Sequence, residues 1–249
     1  SGFGQSGPYA ERPCTDSVAQ AFSGMVALND GADGVPHKVG AFVADMATGI
    51  HAFSAVQVAL AARAQDSAPR RRAIDMSLMA ATANLLTHQI GEWGMQGMPA
   101  APPNTPAGAY RASDGAWVMV TLVREAEWLA ICDVLDIPEA KADPRFAGFD
   151  ARWANREPLY AIIRAAFAKR TSDEWVARLQ GARLLADRVN TPLDWLANEH
   201  VRAHGAASRV AQPQLGEVPL PMLPGLGHWH APAPALGQHT AEVLAELGA

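Results

Sequence analysis

Asp45 has the setting that most invites chemistry. It follows an apolar run, residues 39–44, and precedes a stretch from 46 to about 65 with almost no polar face. A carboxylate at the start of a helix accepts backbone N–H bonds and sits at the favourable end of the helix dipole. Two readings stay open on that pattern. One is a simple N-cap, which contributes about 1 kcal/mol. The other is a nucleophile that forms covalent acyl or phosphoryl intermediates when held against an activated substrate. Gly49, one turn on, would let a substrate or another backbone approach closely. His51 lies in the same stretch, either near the site or as a satisfied core histidine. The opening segment, Ser1-Gly2-Phe3-Gly4-Gln5-Ser6-Gly7-Pro8-Tyr9, offers small residues and backbone N–H groups that suit an anion or a thioester oxygen. A plain surface turn explains the same composition. Arg70-Arg71-Arg72 can meet phosphates or form a solvated turn.

Metal and redox chemistry find little support. Of eight histidines, only those of His228-Trp229-His230 lie close together, and their spacing matches no usual zinc pattern. No metal site is expected. The two cysteines, Cys14 and Cys132, form no CxxC, which predicts a reduced, cytoplasmic chain.

Several elements must position these residues. Asp16 can cap a helix from 17 to about 27, and residues 29–36 are a turn-rich break. Residues 39–44 read as a buried strand or extended segment. The apolar stretch 46–65 reads as a helix buried on all sides, and a second long helix ends by Gly94 or Gly97. Residues 98–106 hold four prolines and read as a linker. Beyond it, Ser113-Asp114-Gly115 marks a hairpin between 109–111 and 117–123. Helices follow at 125–135 and 159–169, and Thr171-Ser172-Asp173-Glu174 is a capping box for another. Thr191-Pro192 opens one more, with Gly205 as a stop. Residues 212–235 are rich in Pro and Gly and read as extended, and 240–247 as a short helix.

Composition excludes several classes. The 249 residues are 49% hydrophobic and 18% charged, with 20 basic and 25 acidic side chains and a net charge of −5. A chain of this size buries roughly 70% of its unfolded surface. The balance argues against nucleic-acid binding, which calls for a basic excess, and against disorder. The best membrane candidate, 46–62, is only just long enough to span, and Thr48, His51, Ser54 and Gln57 interrupt it, so no membrane association is expected.

Taken in order, the motifs resemble the class III CoA-transferases, the family of formyl-CoA transferase, carnitine CoA-transferase and α-methylacyl-CoA racemase. The resemblance rests on residues 1–9 and Val18-Ala19-Gln20-Ala21-Phe22-Ser23-Gly24. Val43-Ala44-Asp45-Met46-Ala47-Thr48-Gly49 resembles the catalytic segment and Ile74-Asp75-Met76-Ser77-Leu78 the next block. Asp143-Pro144-Arg145-Phe146, Ala154-Asn155-Arg156, Val189-Asn190-Thr191 and Leu236-Gly237-Gln238-His239-Thr240 fit in the same order.

The resemblance implies an α/β fold. A Rossmann-like large domain, its N-terminal part missing, spans 1–100. A small α+β domain at 101–210 interrupts it, and 211–249 return to it. Two subunits interlock as a homodimer. The substrates implied are acyl-CoA and a small carboxylic acid, with no tightly bound cofactor. Asp45 is implied as the nucleophile that forms an acyl anhydride and then an aspartyl-CoA thioester. The positions matching the CoA-contacting loop are Pro13, Cys14, Thr15 and Asp16, with Arg12 adjacent; formyl-CoA transferase has a basic residue where this chain has Pro13. Racemases place a His where this chain has Thr15, which argues against α-proton exchange. Formyl-CoA transferase has a tetraglycine lid where this chain has Pro102-Pro103-Asn104-Thr105-Pro106, which argues against formate or oxalate as substrate. The chain lacks an initiator Met and is expected to be the C-terminal part of a longer protein, poorly soluble or inactive alone. Three functions are therefore carried forward: a CoA-transferase, a 2-methylacyl-CoA racemase, and a non-catalytic remnant that binds a partner.

Overall fold

The computed structural model describes residues 1–29, 31, 34–66, 68, 71–97, 105–228 and 231–248. The chain is mixed α/β and divides into two compact units, Ser1–Ala101 and Pro102–Ala249.

The first unit contains α1 (Asp16–Phe22), α2 (Val43–Gln65), α3 (Leu78–Leu85) and α4 (Thr87–Gln96), with no β-strand among its described residues. Where a buried strand or extended segment is expected over 39–44, no strand forms: residues 39–42 are an exposed loop and α2 begins at Val43. The Gln20 side chain holds the backbone of this loop, accepting from Val39 N–H at 2.9 Å and donating to Ala41 C=O at 3.4 Å. Those backbone groups are thereby satisfied without a strand neighbour. The second long helix is two shorter ones. Ser77 caps α3 by accepting from Ala80 N–H, the chain breaks at Leu86, and Gly97 ends α4 in the left-handed conformation at φ 72°.

Helix α2 has two unlike faces. Ala44 and Ala47 are buried, and Thr48, His51, Ala52, Ala55 and Ala59 are half-buried at helical spacing beside them. Large apolar residues point the other way: Met46, Ile50, Phe53 and Leu60 are 65%, 63%, 58% and 52% exposed. The expectation of a helix buried on all sides is therefore not met in this chain. Helices α1 and α3 pack on the alanine face, and no described residue covers the other. By length and composition, α2 is the one described helix long and apolar enough to cross a membrane.

The second unit builds its core on strands β1 (Gly108–Arg111) and β2 (Trp117–Thr121), then α5 (Glu125–Leu135), α6 (Pro138–Ala142), α7 (Phe149–Ala154), α8 (Arg156–Phe167), α9 (Ser172–Gly181) and β3 (Leu185–Arg188). The antiparallel sheet has the order β1-β2-β3, with Tyr110 opposite Val118 and Val120 opposite Ala186. Strand alternation sends Val118 and Val120 into the core and leaves Trp117 and Met119 exposed. Phe146, Leu159, Ile163, Phe167 and Trp175 close the core from the helical side. Helices α10 (Pro192–Ala197) and α11 (Glu199–His204) lead to a hairpin, β4 (Ala207–Gln212) and β5 (Gly216–Pro221), and the described chain ends after α12 (Thr240–Glu246). Residues 211–249 cluster with this unit.

Candidate active site

Asp45 is the third residue of α2, not its N-cap, which is Phe42. Its carboxylate is exposed and, among the described residues, makes no hydrogen bond or ion pair. It sits in the first turn, where the helix dipole favours a negative charge. Its own N–H has no acceptor among the described residues, while Met46 N–H bonds back to Phe42 C=O. A free carboxylate beside a free N–H donor can attack a carbonyl and stabilise the oxyanion that results. Next to Gly49 the space is open.

The capping that Phe42 cannot supply comes from α1. Asp16 Oδ2 accepts the Ala44 N–H at 2.8 Å, and Asp16 Oδ1 accepts from Gln20 Nε2 at 2.6 Å. Both residues are buried. Asp16, expected at CoA on the sequence, thus has both oxygens engaged inside the protein. Gln20 was not among the expected site residues. Its one sequence signal is the spacing of four residues from Asp16 on a helix, which places the two side chains together.

The other residues of the expected CoA loop are accessible. Arg12, Pro13 and Thr15 are exposed and Cys14 is half-buried. The Arg12 guanidinium lies over the rings of Phe3, Tyr9 and Phe22, at 5.2, 5.1 and 6.0 Å from their centroids. Those three rings meet edge to face, 5.0 to 6.0 Å apart. The cluster ties the opening segment and the Arg12 loop to the end of α1. Burial, and then the Asp45 charge, raise the Cys14 thiol above its ordinary value against the pull of Arg12. A Cβ on Gly2 would stand 2.3 Å from Cys14 Cβ, so only glycine permits this close approach.

The opening segment is anchored to the start of α3. Ser1 donates to Met76 C=O at 2.9 Å, Leu78 and Met79 N–H return to Ser1 and Gly2 C=O at 3.0 Å, and Gln5 N–H reaches Asp75 Oδ2 at 2.9 Å. Gly4 N–H is taken by Ser1 Oγ. Two of the donors expected to meet an anion are therefore engaged internally. His51 is held by Ala47 C=O at Nδ1, 2.7 Å, and by Asn84 Oδ1 at Nε2, 3.0 Å. Both neighbours are acceptors, and first Ala47, then Asn84, raise its pKa above the ordinary value. Arg70, Pro102-Pro103-Asn104 of the expected lid, and Trp229-His230 lie outside the described residues.

Comparison with known proteins gives a consistent result. The model of CoA-transferase family III matches residues 1–240. The chain is 29% identical over 258 residues to the succinate–glutarate CoA-transferase of Agrobacterium fabrum, an alignment that covers 99% of this chain and 64% of that protein. It is 26% identical over 262 residues to the succinyl-CoA:glutarate CoA-transferase of Mus musculus, covering 99% of this chain and 58% of that one. The crystal structure of a CaiB/BaiF family protein from Brucella suis superimposes with a TM-score of 0.81 at 28% identity, over 99% of this chain and 66% of the other. The chain thus spans less than two thirds of the length of these relatives.

Proposed function

The chain belongs to CoA-transferase family III, and on that premise we propose that it carries the nucleophile of an acyl-CoA:carboxylate CoA-transferase. The observation that carries this reading is the carboxylate of Asp45, uncommitted among the described residues and exposed in the first turn of α2. The carboxylate attacks the thioester carbonyl of an acyl-CoA, giving an acyl-aspartyl anhydride and CoA thiolate. The thiolate attacks the Asp45 carbonyl, releasing the donor acid and leaving an aspartyl-CoA thioester. The acceptor carboxylate displaces the thiolate to form a second anhydride, and the thiolate then attacks the acceptor carbonyl. That step frees the new acyl-CoA and restores Asp45. Each intermediate keeps the acyl group activated, so the steps are nearly balanced in energy. What the protein must add is stabilisation of the oxyanions and exclusion of water. The Asp45 N–H supports the first of these.

The substrates in this reading are a CoA thioester and a small carboxylic acid, and the named substrates of the relatives make dicarboxylates the acids to try first. Arg12, Pro13, Cys14 and Thr15 form an accessible loop suited to CoA, with Arg12 fixed by aromatic stacking. In the complete enzyme the 1–100 part belongs to a Rossmann-like domain, 101–210 to an α+β domain, and 211–249 return to the first. Two copies interlock in the cytoplasm. Thr15 supplies no acid or base at the position where racemases use histidine, which favours transfer over α-proton exchange.

The test is peptide-resolved mass spectrometry of the complete enzyme after incubation with succinyl-CoA, glutaryl-CoA and acetyl-CoA. An acyl or CoA mass on the peptide that contains Asp45, lost in Asp45→Asn together with at least about 10³-fold of turnover, is the expected result. Normal turnover by Asp45→Asn sinks the assignment.

A further inference from the structure

Helix α2 has a defect at the end where the chemistry is placed. Its N-cap, Phe42, carries no acceptor, so the first N–H groups lack the partner that a Ser, Asp or Asn would give. Asp16 supplies that partner from a different helix, 28 residues away in sequence. Gln20, one turn further along α1 and fully buried, braces Asp16 through Nε2 and grips the loop entering α2 at Val39 N–H and Ala41 C=O. Two side chains on one helix thus hold the N–H of Ala44, the residue before Asp45, and the loop that leads to it.

We propose that Asp16 and Gln20 are positioning residues for Asp45: they fix the N-terminus of α2 so that the Asp45 carboxylate and N–H meet the thioester in one geometry. The proposal rests on the reading of Asp45 as nucleophile. The chemical choice of Asp16 supports it. Among the described residues the buried carboxylate has no cation partner, and burying an unpaired charge is costly. A neutral Ser or Asn would cap a helix equally well for stability. The charge-assisted bond to Ala44 N–H is stronger and shorter than a neutral one, which suits a site where small misplacements of the nucleophile are expensive in rate. Rigidity has to come from beneath, because Asp45 itself is exposed and touches no partner.

The experiment uses the complete enzyme and compares Asp16→Asn, Asp16→Ala and Gln20→Leu with the parent in steady-state assays and in the rate of acyl transfer to Asp45. Alanine at 16 and leucine at 20 are expected to lower kcat and the acylation rate by about 10- to 100-fold, with KM for acyl-CoA within about twofold. Asparagine at 16 retains an oxygen for Ala44 N–H but loses the charge and the acceptor for Gln20 Nε2, so it is expected to recover only part of the lost rate. A rise in KM with kcat unchanged would make Asp16 a ligand contact and overturn the proposal. So would parent-like rates in both Asp16→Ala and Gln20→Leu. An Asp16→Asn enzyme that does not fold, or folds with no recovery over alanine, also overturns it, because an acceptor for Ala44 N–H is kept. If the parent forms no adduct on Asp45, the nucleophile reading itself fails. A parent adduct with unimpaired variants would leave that reading standing and remove only the positioning role.

Discussion

A carboxylate in the first turn of a helix ordinarily disappears into capping bonds. In α2 that task falls to Asp16, so the Asp45 carboxylate is left without a partner among the described residues. The division of labour between the two aspartates was only half legible in the sequence. The position of Asp45 before an apolar helix could be read from local pattern, but its freedom from partners could not, because the competing cap comes from outside the local window. His51 shows the same point with a measurable consequence. Its ring faces two acceptors, Ala47 C=O and Asn84 Oδ1, so the doubly protonated form is favoured and the folded pKa lies above the unfolded one. Stability from His51 is therefore fully present below roughly pH 6.5 and is lost as pH rises through the folded value. Melting temperatures measured from about pH 5.5 to pH 8.5 should fall more steeply in the parent than in His51→Gln. Parallel curves would show that Asn84 turns its amide N–H₂ toward a neutral ring.

At the scale of elements, what could be read depended on how far apart in sequence the interacting groups lie. The capping box at Thr171 and Glu174 is present, with Glu174 N–H on Thr171 Oγ1 and Thr171 N–H on Glu174 Oε2, because all four atoms lie within one turn. The hairpin at 113–115 forms for the same reason, and Asp114 closes it through Ala116 N–H. Helix α5 carries an equivalent device that the sequence hides. Its N-cap is Arg124, and Glu127 accepts from Val123 and Arg124 N–H and from the Arg124 guanidinium. Those bonds, Val123 first, push the Glu127 carboxyl down to about 2. Strand β3 was missed because only its register against β2, more than sixty residues earlier, makes Leu185–Arg188 a strand. Arg152 was missed because a buried arginine is rarely expected. Fully buried, it donates to Thr105 C=O at 2.8 Å, Phe146 C=O at 3.0 Å and Glu125 Oε2 at 2.7 Å, and it stacks over Trp128 and Phe149. One side chain thereby joins the segment before β1, the segment before α7 and the start of α5. Truncation to Arg152→Ala leaves those acceptors without a donor and should cost about 3 kcal/mol in urea unfolding of the second unit. A loss under about 1 kcal/mol would mean that water replaces the guanidinium without penalty.

At the scale of the whole molecule, the unlike faces of α2 set how the 249 residues behave in solution. An amphipathic helix normally turns its large apolar residues inward. Here alanines line the inner side, allowing α1 and α3 to approach closely, while Met46, Ile50, Phe53 and Leu60 face out. The buried apolar residues of the first unit are correspondingly few and mostly small: Phe3, Ala19, Ala44, Ala47, Ala81 and Leu86. A contiguous outward patch of this kind is an association surface. The packed alanine face distinguishes α2 from a helix bathed in lipid on every side. We therefore expect the 249-residue chain on its own to self-associate in a concentration-dependent way. The double substitution Ile50→Gln and Phe53→Gln should shift it toward a single species by sedimentation velocity, because it removes two of the largest exposed apolar side chains without touching the alanine face. In the complete enzyme the same pair should instead lower the melting temperature if other residues cover this face there, since two polar amides would then be buried without partners. A complete enzyme with unchanged melting temperature would show that the face stays open to solvent.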